Sequence, residues 1–236
     1  MSRHCVVLAG GLGTRLREVT GGLIPKAMVP VNGRPFIDYK LYGLFKLGVT
    51  DVTLLVGELG SQIQAHLKDF DLLNVRIVHD GDTLRGTGGS IRSVIDELPR
   101  YFWVTYGDTY VVADLDAAES AFQSRGGRVM TVWKNSDFLE TSNVTISRSQ
   151  VIRYEKQAQP GSHQWIDFGL IRFDRGDFLG FAADETWDLS EVLIRLIEAG
   201  ELGAWEVATR FWDVGTPQAL TSTEGEFRSR DWGGLW

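Results

Sequence analysis

Short apolar runs and amphipathic segments alternate through the first half of the chain. Residues 6–9 form an apolar run that stops at Gly10, and residues 51–56 are rich in β-branched side chains. Continuous apolar runs of this length are typical of buried strands in a parallel sheet. The same pattern predicts strands over 75–78 and 102–106.

Helical periodicity lies between these strands. Within residues 36–47, Ile37, Leu41 and Leu44 recur at the spacing that puts them on one helical face. Gly48 follows, where a glycine at C′ ends many helices. Further helices are predicted over 61–67, 87–98 and 189–199, and a last one that has Thr216 as N-cap and Pro217 at its first position.

The second half has a different pattern, with strands predicted over 128–133, 143–146, 151–155 and 166–173 and no long helix between them. This pattern indicates an antiparallel extension. We therefore expect an α/β fold in three layers, with helices on both faces of a mostly parallel mixed sheet. The expected organisation is one domain over 1–236, with two halves at 1–125 and 126–236.

Composition narrows the functional classes. With 24 Lys and Arg against 31 Asp and Glu, the formal net charge is −7, which argues against nucleic acid as the main partner. Four His and the single Cys5 exclude a structural zinc cluster, and Cys5 is expected to be a buried small hydrophobe. No apolar run reaches the roughly 18 residues of a membrane helix, and no secretion signal is evident. A cytoplasmic protein is expected.

A glycine-rich loop follows the first strand. Gly10, Gly11 and Gly13 let the backbone approach a ligand and point its amides inward, which favours phosphate. Thr14 adds a hydroxyl, and Arg15 adds a forked cation suited to phosphate oxygens. The alternative is a plain tight turn, since the glycine spacing matches neither a Walker loop nor the dinucleotide fingerprint.

Three charged residues outside this loop are candidates for the same site. Lys26 is either a second cation facing the anion or a lysine lying along the surface. Asp108 follows the strand over 102–106, where a carboxylate is well placed to bind Mg²⁺, and Asp213 precedes the last helix. Each aspartate can equally be a turn or capping residue. The pair becomes informative only if the fold brings both together.

The second half contributes its own candidates. Glu155 and Lys156 end a predicted strand, as an exposed ion pair or as contacts to a sugar hydroxyl and a substrate phosphate. Asp167 and Gly169 are expected to line the same pocket. Residues 87–89 are predicted to open a helix. They are interpreted either as contacts to a base or sugar edge or as a helix start that binds no ligand.

Together these residues resemble the sugar-1-phosphate nucleotidyltransferases, also called NDP-sugar pyrophosphorylases. Residues 15–19 and 34–37 look most like the heptose-1-phosphate and mannose-1-phosphate guanylyltransferase branch, and the length is also similar to muramate-1-phosphate uridylyltransferases and some cytidylyltransferases. The matching segments occur in the family order over almost the whole chain: 8–16, 25–31, 33–37, 86–91, 107–109, 155–156 and 212–217.

The resemblance implies a Rossmann-like fold and the Mg²⁺-dependent joining of an NTP to a sugar 1-phosphate, with release of pyrophosphate. It also implies a nucleotide-binding half at 1–125 and a sugar-phosphate-binding half at 126–236. The implied catalytic residues are Arg15, Lys26 and Asp108, and the implied metal ligands are Asp108 and Asp213. The implied nucleotide contacts are Leu8, Gly10, Gly11, Gly13, Thr14, Asp82, Thr87 and Gly88. The implied substrate contacts are Glu155, Lys156, Asp167 and Gly169.

The expected partners are small molecules, with GTP and a heptose or mannose 1-phosphate placed first. No nucleic acid and no membrane are expected as partners, and a homodimer is compatible with the family. The alternatives are a uridylyl- or cytidylyltransferase acting on muramate 1-phosphate or a non-sugar phosphate, and a nucleotide-sensing subunit that has lost the chemistry.

Overall fold

The computed structural model describes residues 2–11, 16, 20–80, 85–183 and 185–232. Its strands are β1 His4–Ala9, β2 Pro30–Val31, β3 Arg34–Pro35, β4 Asp51–Val56, β5 Asn74–His79, β6 Tyr101–Tyr106, β7 Thr109–Tyr110, β8 Val129–Lys134, β9 Val144–Ser147, β10 Gln150–Tyr154, β11 Trp165–Asp174, β12 Gly203–Glu206 and β13 Trp212–Asp213. Its α-helices are α1 Phe36–Lys46, α2 Gly60–His66, α3 Gly86–Ser93, α4 Leu115–Phe122, α5 Ser190–Glu198 and α6 Pro217–Ser229.

The chain forms two compact units, and both are discontinuous in sequence. The first unit comprises Met1–Leu84, Thr105–Val112 and Phe211–Trp236, and the second comprises Arg85–Val104 and Ala113–Arg210. The assignment of the nucleotide to residues 1–125 and of the sugar phosphate to residues 126–236 stays a prediction.

Parallel pairing organises the first unit. β1 pairs with β4 from His4 opposite Asp51 to Ala9 opposite Val56, and β4 pairs with β5 in the same direction. Val6 and Val7 are fully buried, as the apolar run predicts. The ends of β1 and β4 approach closely at Gly10 and Gly57, since a Cβ on Gly57 would lie 2.7 Å from the Gly10 carbonyl oxygen.

Helix α1 supplies one wall of an aromatic core in the first unit. Gly48 takes a φ of +75° and its N–H donates to the Phe45 carbonyl oxygen, so the predicted glycine stop is confirmed. Thr216 caps α6 by accepting from the Ala219 N–H, and Pro217 is the first helical residue, also as predicted. The buried aromatic residues of this core are Phe36, Tyr39, Tyr42, Tyr110, Trp212, Phe227 and Trp232.

The second unit has a mixed sheet. β8 pairs antiparallel with β11 and parallel with β12, while β10 pairs antiparallel with β12 and β9. The predicted antiparallel strands in this half are therefore confirmed, and β12 and α4 are additions that the periodicity did not indicate. The α/β class holds, and the three-layer arrangement stays a prediction.

One predicted helix is wrong in its extent. The helix expected over 87–98 is α3, which stops at Ser93, followed by a 3-10 turn over Ile95–Glu97. Val94 has φ −113° and ψ 5°, which is outside the α-helical region. The apolar spacing continues through this break because the 3-10 turn keeps Ile95 buried.

Two helical glycines in the first unit make a matched test of the aromatic core. A Cβ on Gly43 in α1 would lie 2.6 Å from the Tyr110 ring, whereas no atom of the described part of the chain would lie within 4 Å of a Cβ on Gly225 in α6. We expect Gly43→Ala to lower the free energy of unfolding by about 1–3 kcal/mol through overpacking. We expect Gly225→Ala to raise it by about 0.5–1 kcal/mol through helix propensity.

Urea unfolding of both variants measures these changes. Equal stabilisation by the two substitutions would show that the Tyr110 ring does not occupy the space beside Gly43.

Candidate active site

Two carboxylates from distant parts of the chain meet where β7 pairs with β13. The register places Thr109 opposite Asp213, and the Val214 N–H donates to the Asp108 carbonyl oxygen at 3.0 Å. Asp108 therefore lies beside the strand that carries Asp213. The fold therefore brings Asp108 and Asp213 together, which is the condition under which the sequence analysis treats them as informative.

Lys26 lies between these two carboxylates. Its Nζ forms an ion pair with Asp108 Oδ2. A Cβ on Gly215 would lie 3.2 Å from Lys26 Nζ and 2.8 Å from Asp213 Oδ1, so both side chains reach the same small space. About a quarter of the Lys26 and Asp108 side-chain surface is exposed, which leaves the cluster open to a ligand. We call Lys26, Asp108 and Asp213 the charged cluster.

A second lysine lies beneath the charged cluster, and the sequence interpretation missed it. Lys40 in α1 is 1% exposed, and its Nζ donates to Thr105 Oγ1 and to the Thr109 carbonyl oxygen, both at 2.6 Å. Burial lowers the pKa of Lys40 to about 8, against Cys5 and Asp108, which act to raise it. Lys40 is three residues after Ile37 and four before Leu44, so it was detectable as a charge on an apolar helical face.

The described part of the glycine loop lies next to this turn. The Gly107 N–H donates to the Leu8 carbonyl oxygen at 2.9 Å, and a Cβ on Gly10 would lie 3.4 Å from Asp80 Oδ2. Nothing lies within 4 Å of a Cβ on Gly11 among the described residues. Four predicted site residues lie outside the described residues: Gly13, Thr14, Arg15 and Asp82.

In the second unit, Gly88 faces a tryptophan. A Cβ on Gly88 would lie 2.0 Å from the Trp187 ring, and the Gly88 N–H donates to the Trp187 carbonyl oxygen at 3.2 Å. Packing inside the chain is thus a sufficient reason for glycine at this position. The predicted contact between Gly88 and a nucleotide stays a prediction.

Asp188 joins two of the predicted ligand contacts. Its Oδ2 accepts a hydrogen bond from Thr87 Oγ1 at 3.1 Å and forms an ion pair with Lys156. Burial opposes ionisation of Asp188, but bonds from Lys156 and Ser190 outweigh it and hold its pKa at about 2. The sequence signal was a capping pattern, since the Asp188 N–H also donates to Glu191 Oε1 at 3.2 Å.

The other predicted substrate contacts have partners within the second unit. Glu155 forms an ion pair with Arg153, and its Oε2 lies 3.3 Å from His163 Nε2; hydrogen bonds from His163 and Arg153 lower the pKa of Glu155. Asp167 Oδ1 accepts from the Gly169 N–H at 2.9 Å. Burial raises the pKa of Asp167 to about 6, although that backbone bond acts to lower it.

A comparison with protein-family models assigns the chain to a family. The profile of the MobA-like NTP transferase domain matches residues 5–168, more than half of the chain. The chain belongs to the MobA-like NTP transferase family. The predicted resemblance to sugar-1-phosphate nucleotidyltransferases and the prediction of an enzyme, a nucleotidyltransferase, are thereby confirmed.

Individual relatives cover nearly all of this nucleotidyltransferase. The D-glycero-alpha-D-manno-heptose 1-phosphate guanylyltransferase of Campylobacter jejuni is 26% identical over 91% of this chain and 96% of its own length. The glucose-1-phosphate cytidylyltransferase of Salmonella typhi is 29% identical over 85% of this chain and 86% of its own length. The crystal structure of HddC from Yersinia pseudotuberculosis complexed with GMP-PN superposes with a TM-score of 0.81 at 25% identity, covering 95% of this chain and 99% of that one.

The charged cluster fits a magnesium ion in its donor chemistry. Within the described ranges, no three or more His, Cys, Asp and Glu side chains group as a metal site. Mg²⁺ is usually held by one or two carboxylates together with water and substrate phosphates, so Asp108 and Asp213 suffice.

None of the described helices is long and apolar enough to span a membrane.

Asp167 generates a pH-dependent prediction. Its pKa is about 6 in the folded chain, against about 3.9 in an unfolded one, so the folded state binds more protons between these values. This contribution makes the wild-type chain lose stability as the pH rises from about 4 to about 6. Asp167→Asn removes the cost of ionising this carboxyl in the folded chain and keeps an oxygen that accepts from the Gly169 N–H. We therefore expect the free energy of unfolding to rise by about 1–2 kcal/mol at pH 7 and to be unchanged below about pH 4.

Urea unfolding at pH 4, 5, 6 and 7 measures this difference. Asp188→Asn is the matched comparison and is expected to lower stability at pH 7, because it removes the negative partner of Lys156. A constant difference between Asp167→Asn and the wild type at all four pH values would contradict the buried charge.

Proposed function

We propose that this nucleotidyltransferase joins an NTP to a sugar 1-phosphate and releases pyrophosphate, with GTP and a heptose or mannose 1-phosphate as its substrates. The observation that carries the proposal is the meeting of Lys26, Asp108 and Asp213 in a member of an NTP transferase family. Two carboxylates with an intervening lysine suit a reaction in which two polyanions must approach each other. A cytoplasmic location and a homodimer stay expectations from the sequence.

The proposed reaction is an in-line displacement at the α-phosphate. A phosphate oxygen of the sugar 1-phosphate forms a new bond to the α-phosphorus, and the bond from that phosphorus to the bridging oxygen of the β-phosphate breaks. The attacking phosphate is already ionised near neutral pH, because its second pKa is about 6. The chain therefore needs no strong general base, and its task is positioning and charge stabilisation.

Each residue of the first unit then has a specific task. Lys26 stabilises the negative charge that develops around the α-phosphate, and Arg15 is assigned to the departing pyrophosphate. Asp108 and Asp213 would hold Mg²⁺, which when bound supplies positive charge to the phosphate oxygens. Gly10, Gly11 and the rest of the glycine loop would hold the nucleotide phosphates through backbone groups, and Leu8 would contact the nucleotide.

The second unit is assigned the sugar phosphate. The Lys156 side chain is 60% exposed, and its positive charge is balanced by Asp188. A substrate phosphate can therefore compete with Asp188 for the Lys156 ammonium group without first losing its own hydration shell. Glu155 would accept a hydrogen bond from a sugar hydroxyl, Thr87 and Gly88 would contact the base or ribose, and Asp167 with Gly169 would contact the substrate. Holding both reactants in line supplies up to roughly 7–11 kcal/mol of the barrier reduction.

The choice of base rests on relatives that differ among themselves. GTP is placed first because the guanylyltransferase relative matches over nearly the full length of both chains. The cytidylyltransferase relative supports CTP as the second candidate. A catalytically inactive sensing subunit is disfavoured, because Lys26, Asp108 and Asp213 are all retained and meet.

A nucleotide screen tests this assignment. We expect GTP with Mg²⁺ at about 100 times its dissociation constant to raise the melting temperature by about 5–10 °C, more than CTP, UTP, dTTP or ATP. Pyrophosphate release is then measured with heptose, mannose, glucose and muramate 1-phosphates. If the nucleotide binds but releases no pyrophosphate in the presence of any of these phosphates, or of a non-sugar phosphate such as phosphocholine, the result would favour the sensing subunit.

Asp108→Asn tests the role of the charged cluster. The substitution keeps the side-chain shape but removes the charge facing Lys26, so we expect an intact fold and a kcat lower by about 10²-fold or more. Asp71→Asn is the control, since it removes an exposed carboxylate of the same unit and should leave kcat unchanged. Near wild-type turnover of Asp108→Asn at saturating Mg²⁺ would contradict the metal assignment.

A further inference from the structure

The buried Lys40 holds both sides of the turn that carries Asp108. Its Nζ donates to Thr105 Oγ1 before Gly107 and to the Thr109 carbonyl oxygen after Asp108, at 2.6 Å in each case. The Gly107 N–H bonds the Leu8 carbonyl oxygen within the same stretch. The turn is thus fixed from α1 below it and from the end of β1 beside it.

Core packing alone does not account for a lysine at this position. Lys40 occupies an apolar helical face with Ile37 and Leu44, both of which are buried. Transfer of an ammonium group into the interior is unfavourable, and apolar residues of similar size are often neutral or stabilising in place of buried ions. Methionine would fill the same volume without that cost. A buried charge here therefore points to a requirement of the site above it.

The neighbouring charges indicate what that requirement is. Lys40 bonds the carbonyl oxygen of Thr109, the residue after Asp108, and Thr109 in turn pairs with Asp213 on β13. A carboxylate that must meet a cation in a fixed geometry needs its backbone held against the pull of Lys26 and of bound ions. Partners behind a ligand commonly supply this orientation in metal sites.

We propose that Lys40 is a positioning residue, which holds the turn from Thr105 to Thr109 so that the Asp108 carboxylate stays directed into the charged cluster. The identification of that cluster as a divalent-cation site rests on the proposed function. Lys40 itself does not touch substrate. Its contribution is the placement of Asp108, through two hydrogen bonds on either side of that residue.

The test compares Lys40→Met with Leu44→Ala. Lys40→Met keeps the volume and removes both hydrogen bonds, while Leu44→Ala weakens the same helical face one turn further along and leaves both hydrogen bonds to the turn in place. Backbone amide exchange of Gly107 and Val214 is followed by NMR, and Mn²⁺ binding to the full chain is titrated by EPR. Thr105→Val, which removes one of the two acceptors, is the second variant and retains a readout if Lys40→Met folds poorly.

We expect Lys40→Met to speed exchange of the Gly107 and Val214 amides by about tenfold or more and to weaken Mn²⁺ binding by about tenfold or more. Thr105→Val should change both in the same direction by less. Leu44→Ala should lower the melting temperature and leave Mn²⁺ affinity and these two amides near their wild-type values.

Two outcomes overturn the proposal: wild-type amide exchange and Mn²⁺ affinity in Lys40→Met, or equal changes of both in Leu44→Ala, which would reduce Lys40 to a core residue. Failure of the proposed function is separate. If the wild type binds Mn²⁺ but releases no pyrophosphate with any phosphorylated substrate, the reaction is wrong, while the exchange and Mn²⁺ results still decide the role of Lys40.

Discussion

The pairing of β7 with β13 is the constraint on which the candidate site depends. Thr109 opposite Asp213, together with the bond from Val214 to the Asp108 carbonyl oxygen, fixes two carboxylates that would otherwise repel each other. Neither strand has more than two residues, so backbone pairing alone is weak. The aromatic core, which includes Tyr110 and Trp212 from these same strands, supplies the burial that holds the pairing in place.

The sequence predicted the parts of the fold that local patterns determine. Buried runs such as β1, the amphipathic helix α1 with its Gly48 stop, and the Thr216 cap each depend on residues close in the chain. The extent of α3 was wrong because a 3-10 turn keeps an apolar side chain facing inward while the backbone leaves the helix. The short strands β7 and β12 carry no periodicity of their own, since their pairing is set by partners far away in sequence.

The residues of the candidate site also divide into those that the local sequence indicates and those that depend on distant partners. Lys26, Asp108 and Asp213 were found from motif context, and the structure adds their meeting. Lys40 and Asp188 were missed because their importance comes from long-range partners, Thr105 and Thr109 for one and Thr87 and Lys156 for the other. The role of glycines was ambiguous for a related reason. At Gly57 and Gly88, the space that a side chain would fill is occupied by Gly10 and Trp187. A glycine-rich motif alone therefore does not show whether a ligand or another part of the chain approaches the backbone.

Charge balance explains why such a site needs further cations. Lys26 and Lys40 offset Asp108 and Asp213, so these four side chains together carry no net charge while both lysines are protonated. An incoming triphosphate and a second phosphate then add several negative charges to a neutral region, and their mutual repulsion opposes the reaction. In the proposed reaction, Mg²⁺ and Arg15 supply the missing positive charge. Lys40 cannot do so because it is buried and already bonded; its proposed role is to fix where the Asp108 carboxylate, and therefore a bound ion, would sit.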